Sequence, residues 1–380
     1  MNQLAESIKS EIRKRGPLTF AHFMELALYH PELGYYSPGI ERIGKEGDYY
    51  TSPYVHQAFG EILARFIVKG AGHFGGADFD IIEFGGGKGL LASDILKYMK
   101  RDHPDVYDRV RYHIVEHNPH QRKEAEKGLE KHRHKLSLLS SLSELGERNI
   151  DGVIISNEFV DALPFHRAKF SRGELLEIYV ALKENEFVEL KGKPSSKEIA
   201  SYLEDYGLQL EEGQELEINL NAGRWIKETE RILDRGLILT IDYGYLAPEL
   251  FSPHRMKGTY KCLHKHQINE NPYVNIGEQD ITAHVDFSNL IRVGEHAGLN
   301  EIIYTTQGQF LLDWGILDII EDGESGAGTA SGKDTIAAGT LFLPQLMGDK
   351  FKVLVQGKNI EDETRNFYPE SPLKISFGVL

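Results

Sequence analysis

One stretch of the chain, residues 80–91, constrains the fold more than any other. Its first five residues, DIIEF, predict a short buried strand. Glycines at positions 85, 87 and 89 then predict a tight turn, because glycine adopts backbone conformations that other residues avoid. Apolar residues at helical spacing follow, from Leu90 to Met99. A strand, a glycine turn and a helix N-terminus form a cradle in which backbone N–H groups can bind an anionic part of a ligand.

The spacing of the glycines indicates which ligand suits the cradle. A dinucleotide site that used Gly85 and Gly87 would need a third glycine at position 90, which is leucine. The sequence instead has Glu83 followed by glycines at alternate positions through Gly89, which resembles motif I of class I S-adenosylmethionine (SAM) methyltransferases. SAM carries a carboxylate and an amine and no pyrophosphate. We therefore predict that Glu83, Gly85, Gly87 and Gly89 bind the methionine end of SAM, a plain strand-to-helix turn being the alternative.

Two later strands are also predicted to end in polar residues. The second strand, residues 111–115, leads to Glu116, whose carboxylate can accept hydrogen bonds from both ribose hydroxyls of an adenosine. An exposed acid at a strand end is the alternative for Glu116. The fourth strand, residues 152–156, runs directly into the segment 157–164, NEFVDALP. Because ligands of an open parallel sheet bind beyond the carboxyl ends of its strands, we expect this segment to face the cofactor crevice.

The composition limits the partners. The chain has 43 basic and 58 acidic residues, and a net charge of −15 argues against general nucleic-acid binding while remaining compatible with a basic protein substrate. Its single cysteine, Cys262, excludes a disulfide framework and a thiolate zinc cluster. The spacing of Cys262, His264, His266 and His284 matches no familiar metal site, so we expect no metal. With no apolar run of about 18 residues we expect no membrane span, and a cytoplasmic location if the source is bacterial.

The pattern predicts an α/β protein with a Rossmann-like, mostly parallel sheet of seven strands that finishes in an antiparallel hairpin. Residues 1–75 are predicted to form a helical cap or lid, in which the aromatic turn at 29–36 either covers the site or packs at a loop-rich surface. Residues 76–380 would form the methyltransferase domain, with insertions at about 165–225 and 245–300. Alternating residues from 165 to 200 predict a β-meander in the first insertion.

Blocks spread over nearly the whole chain resemble the MidA family of SAM-dependent methyltransferases. The matching blocks include residues 16–36, 47–53, 83–90, 157–164, 241–244, 280–287, 306–315 and 347–354. The resemblance implies a class I methyltransferase fold with inserted substrate-side elements. It also implies ω-N methylation of protein arginine, which a mitochondrial member performs symmetrically on a subunit of respiratory complex I. We therefore expect a protein partner, with a respiratory complex subunit as one candidate.

Further site residues lie within the matching blocks. Thr51, in the block 47–53, is predicted to contact the cofactor. Asp242 and Tyr243, at the polar end of the predicted fifth strand, residues 237–244, are predicted on the substrate side. His284 and Asp286, in the block 280–287, are predicted there as well.

Arginine is a difficult nucleophile, because its guanidinium stays protonated at neutral pH. Two carboxylates can hold the guanidinium and draw its positive charge toward the nitrogens that do not react. We predict that Glu158 and Asp161 form this pair, with Asn157 orienting the substrate or the cofactor amine. The alternative is that Asp161 caps a helix and Glu158 is solvated.

Two other classes of function fit the same sequence. One is a methyltransferase acting on a small molecule or on another protein side chain, although the two large insertions favour a sizeable substrate. The other is an assembly factor that binds SAM with little catalysis. Transfer of a labelled methyl group distinguishes all three.

Overall fold

The computed structural model describes residues 2–37, 52–146, 148–325 and 332–360. The chain forms two compact units, each built from three segments. The first, which we call the meander unit, consists of Met1–Tyr49, Glu158–Lys227 and Tyr243–Val293. The second, which we call the sheet unit, consists of Tyr50–Asn157, Glu228–Asp242 and Gly294–Leu380.

The strands, numbered in chain order, are β1 Leu18–Thr19, β2 Phe79–Phe84, β3 Val110–Val115, β4 Leu136–Leu139, β5 Ile150–Asn157, β6 His166–Ser171, β7 Glu174–Lys183, β8 Glu186–Gly192, β9 Glu215–Ile218, β10 Leu233–Tyr245, β11 Lys261–His264, β12 Gln267–Asn269, β13 Asp280–Thr282, β14 Val285–Asp286, β15 Asn300–Thr306 and β16 Phe351–Lys358. The α-helices are α1 Gln3–Arg15, α2 Phe20–Tyr29, α3 Ser52–Val55, α4 Ala58–Ala71, α5 Leu90–Asp102, α6 Pro104–Arg109, α7 Pro119–Gly128, α8 Lys197–Ser201, α9 Leu220–Ile232, α10 Ala247–Leu250, α11 Phe287–Ala297, α12 Gln307–Asp313, α13 Ile316–Ser325 and α14 Gly332–Phe342. Short 3-10 turns occupy Gly72–Phe74, Glu130–Lys135, Leu142–Leu145 and Glu204–Tyr206, and a π-helical turn occupies Pro344–Gly348.

The sheet unit is organised around seven strands in the order β15-β16-β10-β5-β2-β3-β4. Strand β2 pairs in parallel with both β3 and β5, and β5 pairs in parallel with β10. All six residues of β2 are buried, as expected for a parallel strand covered on both faces. Strands β15 and β16 pair antiparallel and form the predicted final hairpin. The predicted class I methyltransferase fold is therefore confirmed.

The meander unit contains a five-stranded antiparallel sheet, in which β7 pairs with β1, β6 and β8, and β9 pairs with β6. The β-meander predicted between residues 165 and 200 is present as β6, β7 and β8. Helix α1 contributes Leu4, Ile8 and Ile12, at helical spacing, to an apolar core that also contains Phe20 and Phe23 of α2. A second sheet of three strands has the order β12-β11-β13.

The predicted helical cap is split between the two units, whereas the predicted insertions lie mainly in the meander unit. Of the predicted helical cap, residues 1–49 belong to the meander unit and residues 50–75 to the sheet unit. The first predicted insertion, 165–225, lies in the meander unit, as does the second up to Val293. The longest helix in the described part of the chain, α4, has 14 residues, and no described helix has the length and apolar character required to span a bilayer.

Candidate functional site

The glycine turn lies between β2 and α5 in the sheet unit. Gly85, Gly87 and Gly89 have φ angles of 68°, 52° and 75°, in the left-handed region that favours glycine. The N–H of Gly85 donates to the carbonyl of Val115 at 2.9 Å, which ties the turn to the end of β3. Because α5 begins at Leu90, its first N–H groups follow the turn directly.

The space around these glycines differs from one position to the next. A Cβ at Gly86 would lie 2.7 Å from Ile114 Cγ2, and a Cβ at Gly89 would lie 2.6 Å from Leu129 Cδ1. A side chain at either position would therefore require the Ile114 or Leu129 side chain to shift. A Cβ at Gly87 would meet no atom of the described residues within 4 Å. The turn is thus open at Gly87, where a ligand can approach the backbone closely.

Glu116 is bonded to this turn. One oxygen of its carboxylate accepts the N–H of Gly87 at 3.1 Å, and the other accepts the N–H of Asn118 at 2.8 Å. Burial raises the pKa of Glu116, while these two backbone hydrogen bonds lower it. A carboxylate offers about four acceptor positions, so two remain for a ligand hydroxyl. The predicted ribose contact of Glu116 stays a prediction.

Glu83 lies under the same turn. Its side chain is 4% exposed, and its carboxylate accepts a hydrogen bond from the Tyr112 hydroxyl at 2.7 Å. Burial raises the pKa of Glu83 to about 7; the negative charge of Glu116 also raises it, and the Tyr112 hydrogen bond lowers it. A buried carboxyl in this state is stabilised by a nearby cation. Tyr112 did not emerge from the sequence, because its role depends on the register between β2 and β3.

Glu83→Gln is expected to change how stability depends on pH. The pKa of Glu83 is near 4.5 when unfolded and about 7 when folded, so ionisation disfavours the folded state. The cost is absent below pH 4.5, grows between pH 4.5 and 7, and reaches about 3 kcal/mol above that window. The free energy of unfolding, measured in urea without ligand, should therefore be compared between variant and wild type at each pH. The difference should favour the variant more at pH 8 than at pH 5. An equal difference at both pH values would contradict the raised pKa.

Two predicted site residues, Asn157 and Asp242, lie near the carboxyl ends of β5 and β10. Asn157 is the last residue of β5 and is in register with Ile241 of β10. Asp242 follows in β10 and is fully buried, so its predicted contact with a substrate stays a prediction. Thr51 lies outside the described residues, as does most of the block 47–53.

In the meander unit, residues 158–164 form a loop after β5. Glu158 has a φ of 50°, in the left-handed region, which is uncommon for a residue other than glycine. Asp161 is 6% exposed, and its carboxylate accepts a hydrogen bond from the Tyr243 hydroxyl. Burial raises the pKa of Asp161 to about 6, while the Tyr243 hydrogen bond and backbone N–H groups lower it. Strained backbone and a buried acid in one loop are frequent at functional sites.

His284 joins this cluster through its ring. Its centroid lies 5.4 Å from that of Tyr243, at an interplanar angle of 76°, and 5.3 Å from that of Tyr245. Tyr243 therefore contacts both Asp161 and His284, and the predicted roles of these three residues stay predictions.

Asp286 bonds to a different set of groups. Its carboxylate accepts hydrogen bonds from the hydroxyls of Tyr202 and Tyr206, at 3.1 and 3.0 Å, and from the N–H of Asn289 in α11, at 3.1 Å. Burial raises the pKa of Asp286 to about 6. These contacts give Asp286 a structural role as the cap of α11, and its predicted contact with the substrate stays a prediction.

The aromatic turn predicted as part of a lid packs inside the meander unit. Tyr35 is fully buried. The Tyr29 hydroxyl donates to the carbonyl of Ala162 at 3.0 Å, and the Tyr36 hydroxyl donates to the Asp280 carboxylate at 3.0 Å. The Tyr29 side chain therefore supports the loop that carries Asp161. Among residues whose structure is described, no group of three or more His, Cys, Asp or Glu side chains is placed to hold a metal ion.

Residues 62–305 match a family model described as "Putative S-adenosyl-L-methionine-dependent methyltransferase". The chain belongs to this family. The match includes both the glycine turn and the loop 158–164, and it confirms the methyltransferase class predicted from motif I.

Several mitochondrial relatives of this methyltransferase are named protein arginine methyltransferase NDUFAF7. The Drosophila melanogaster homologue is 27% identical over 78% of this chain and 70% of its own length. The human protein is 25% identical over 97% of this chain and 88% of its own length. These relatives confirm the resemblance to the MidA family.

A crystal structure from Burkholderia thailandensis, bound to S-adenosyl-homocysteine, resembles this methyltransferase over 94% of the chain and 92% of its own. It is 29% identical, with a TM-score of 0.85. A native crystal structure from the same organism has a TM-score of 0.84 and is also 29% identical. The bound product in the first structure supports SAM as the cofactor of this methyltransferase.

The residues of the sheet unit fit SAM. The turn is open at Gly87, as a bound ligand requires. Burial raises the pKa values of Glu83 and Glu116, so a cationic ligand would stabilise the charged forms of both carboxyls. SAM carries an ammonium and a sulfonium at its methionine end, and these positive charges suit the two acids.

Proposed function

We propose that this methyltransferase transfers methyl groups from SAM to a guanidinium nitrogen of an arginine in a protein substrate. The observation that carries the proposal is the loop 158–164, which contains a buried Asp161 carboxylate and a Glu158 in a strained conformation. An acid whose pKa is raised by burial gains more than a solvated one from binding a cation. The names of the NDUFAF7 relatives support arginine as that cation.

The chemistry requires a nucleophile and a proton acceptor. When bound, SAM supplies a methyl carbon attached to a cationic sulfur. A guanidinium held by Glu158 and Asp161 would keep its positive charge on the two nitrogens that face the carboxylates. The third nitrogen then forms the new C–N bond as the C–S bond breaks, and it loses one proton. That proton leaves to water, because the Glu158 and Asp161 carboxylates face the nitrogens that do not react.

Symmetric dimethylation requires a second transfer, to the other terminal nitrogen. The guanidinium must therefore change its orientation between the two transfers. The resemblance to the mitochondrial family member implies a symmetric product. Rotation about the Cζ–Nε bond, or release and rebinding, would exchange the methylated and unmethylated terminal nitrogens, so that the unmethylated nitrogen becomes the reacting one. We therefore include symmetric dimethylarginine in the proposal.

Tyr243→Phe is expected to shift the pH dependence of methyl transfer. The Tyr243 hydroxyl stabilises the charged form of Asp161, so its removal raises the pKa of that carboxyl. If ionised Asp161 binds the guanidinium, the rate falls below about pH 6 in wild type. In the variant this fall moves to higher pH, by about one unit. A kcat/KM profile from pH 5 to 9 measures the shift, and an unmoved acidic limb would contradict the assignment of Asp161.

The class of acceptor is tested with SAM that carries a trideuterated methyl group. The purified enzyme is incubated with proteins and small molecules of the source organism, which are then separated and analysed by mass spectrometry. The proposal predicts label on arginine side chains of one or a few proteins. Label confined to small molecules or to other side chains would support the first alternative, and no transfer despite SAM binding would support an assembly factor with little catalysis.

A further inference from the structure

One side chain connects the acid-bearing loop of the meander unit to a helix. The side-chain amide nitrogen of Asn219 donates to the carbonyl oxygens of Val160 and Leu163, both at 3.2 Å. These carbonyls lie on either side of Asp161 and Ala162. A single amide therefore fixes the backbone across the part of the loop that carries the Asp161 carboxylate.

The other end of the same amide is bonded to α9. The side-chain oxygen of Asn219 accepts the N–H of Ala222 at 3.0 Å, as the cap of the helix that begins at Leu220. The first turns of this helix are anchored by Ala222, Trp225 and Ile226, all of which are buried. The side-chain amide of Asn219 thus links the loop, through its nitrogen, to the packed helix α9, through its oxygen.

Three further hydrogen bonds hold the loop. The Tyr29 hydroxyl donates to Ala162 O at 3.0 Å, and the N–H of Ala283 donates to Asp161 O at 3.2 Å. The side-chain amide of Asn221 donates to Pro164 O at 2.7 Å, at the end of the loop. Strained conformations such as that of Glu158 persist only where the surrounding structure determines them, and these bonds fix the backbone that follows Glu158 in the loop.

We propose that Asn219 is a positioning residue for the methyl acceptor. Its amide holds the loop in the conformation that directs the Glu158 and Asp161 carboxylates toward the guanidinium. This inference rests on the proposed function, because it assigns Asn219 to the acceptor step. A displacement of about 1 Å in a group that orients a substrate can lower the rate about 100-fold. The loss of two hydrogen bonds to the loop is therefore expected to act mainly on kcat.

Asn219→Asp separates the two roles of the side chain. Aspartate keeps an oxygen to cap α9, and Asp and Asn are about equally good caps. It has no N–H group, so both bonds to the loop carbonyls are lost. We expect kcat to fall about 30- to 100-fold, with a smaller change in KM. The affinity for S-adenosyl-homocysteine, measured by calorimetry, should stay within about twofold, because the residues predicted to bind the cofactor lie in the sheet unit.

Two further variants complete the experiment. Asn219→Ser is a neutral replacement that also caps a helix and lacks the amide donor. It should show the same loss of kcat. A loss shared by both variants cannot be due to the negative charge of aspartate. Asn221→Ser removes the bond to Pro164 O, at the far end of the loop, and an exposed bond that Asn221 accepts from Arg224, and it should change kcat less than about threefold.

The outcomes distinguish this inference from the function on which it rests. Wild-type kcat in a folded Asn219→Ser or Asn219→Asp enzyme, alongside an inactive Glu158→Gln enzyme, would overturn the role of Asn219 and leave the proposed function standing. An equal loss in the Asn221→Ser control would also overturn it, because the effect would not be specific to the acid-bearing part of the loop. Full turnover in Glu158→Gln would instead remove the proposed function.

Discussion

Glu158→Gln is expected to lower methyl transfer about 100-fold or more, while the affinity for S-adenosyl-homocysteine stays within about threefold. Glutamine has the shape of glutamate, so it fits the same left-handed conformation, for which φ is 50°. It lacks the negative charge, so the guanidinium loses one of its two charge-assisted contacts and is held less firmly. Initial rates with labelled SAM measure transfer, and calorimetry measures cofactor affinity.

A matched control is available in the same unit. Glu184, in the turn between β7 and β8, has nearly the same φ, 51°, and its side chain is exposed. Glu184→Gln therefore removes the same charge from the same backbone conformation and should leave the rate unchanged. Unaltered turnover in Glu158→Gln would show that Glu158 does not hold the acceptor.

Gly87→Asn is expected to lower the affinity for S-adenosyl-homocysteine about 100-fold or more, equivalent to about 3 kcal/mol. A side chain at this position would meet no described protein atom within 4 Å, so it would fill space that the ligand needs. Asparagine tolerates the left-handed conformation of Gly87, where φ is 52°, better than most residues. The fold should therefore survive, and calorimetric titration reads ligand binding directly.

Gly75→Asn provides the control for this experiment. Gly75 also lies in the sheet unit, has a left-handed conformation with a φ of 59°, and has open space around it. Its replacement should cost a similar amount of stability and leave binding unchanged. If Gly87→Asn bound S-adenosyl-homocysteine with wild-type affinity, the glycine turn would not be the cofactor site. Gly85→Val would be less informative, because a β-branched residue at a φ of 68° also strains the backbone.

The glycine turn and the meander could be predicted because each depends on a pattern among residues that are close in sequence. The glycine turn could be predicted because three closely spaced glycines specify left-handed backbone, and Gly85, Gly87 and Gly89 all adopt it. The meander could be predicted because alternation has a period of two, and β6, β7 and β8 follow it. Strand β3, Val110–Val115, matches the predicted second strand, residues 111–115.

The parts that were not predictable depend on contacts between distant residues. Tyr112 meets Glu83 only because β2 and β3 pair in a particular register, which single-sequence patterns do not specify. Asp286 meets Tyr202 across 84 residues of sequence, so its capping role became visible only in the fold. Asn219 resembles any loop asparagine in the sequence, and its two bonds to the acid-bearing loop span 59 and 56 residues.

Substitution of the methylated residue in the acceptor protein tests most directly whether Glu158 and Asp161 hold a guanidinium. Once labelled SAM has identified the modified arginine, that residue is replaced by lysine, and the initial rate of transfer is measured with the wild-type enzyme. Lysine keeps the positive charge but presents a point charge in place of a planar fork, so the proposal predicts a rate near background. Transfer to the lysine at a rate comparable to that of arginine would contradict recognition by two carboxylates.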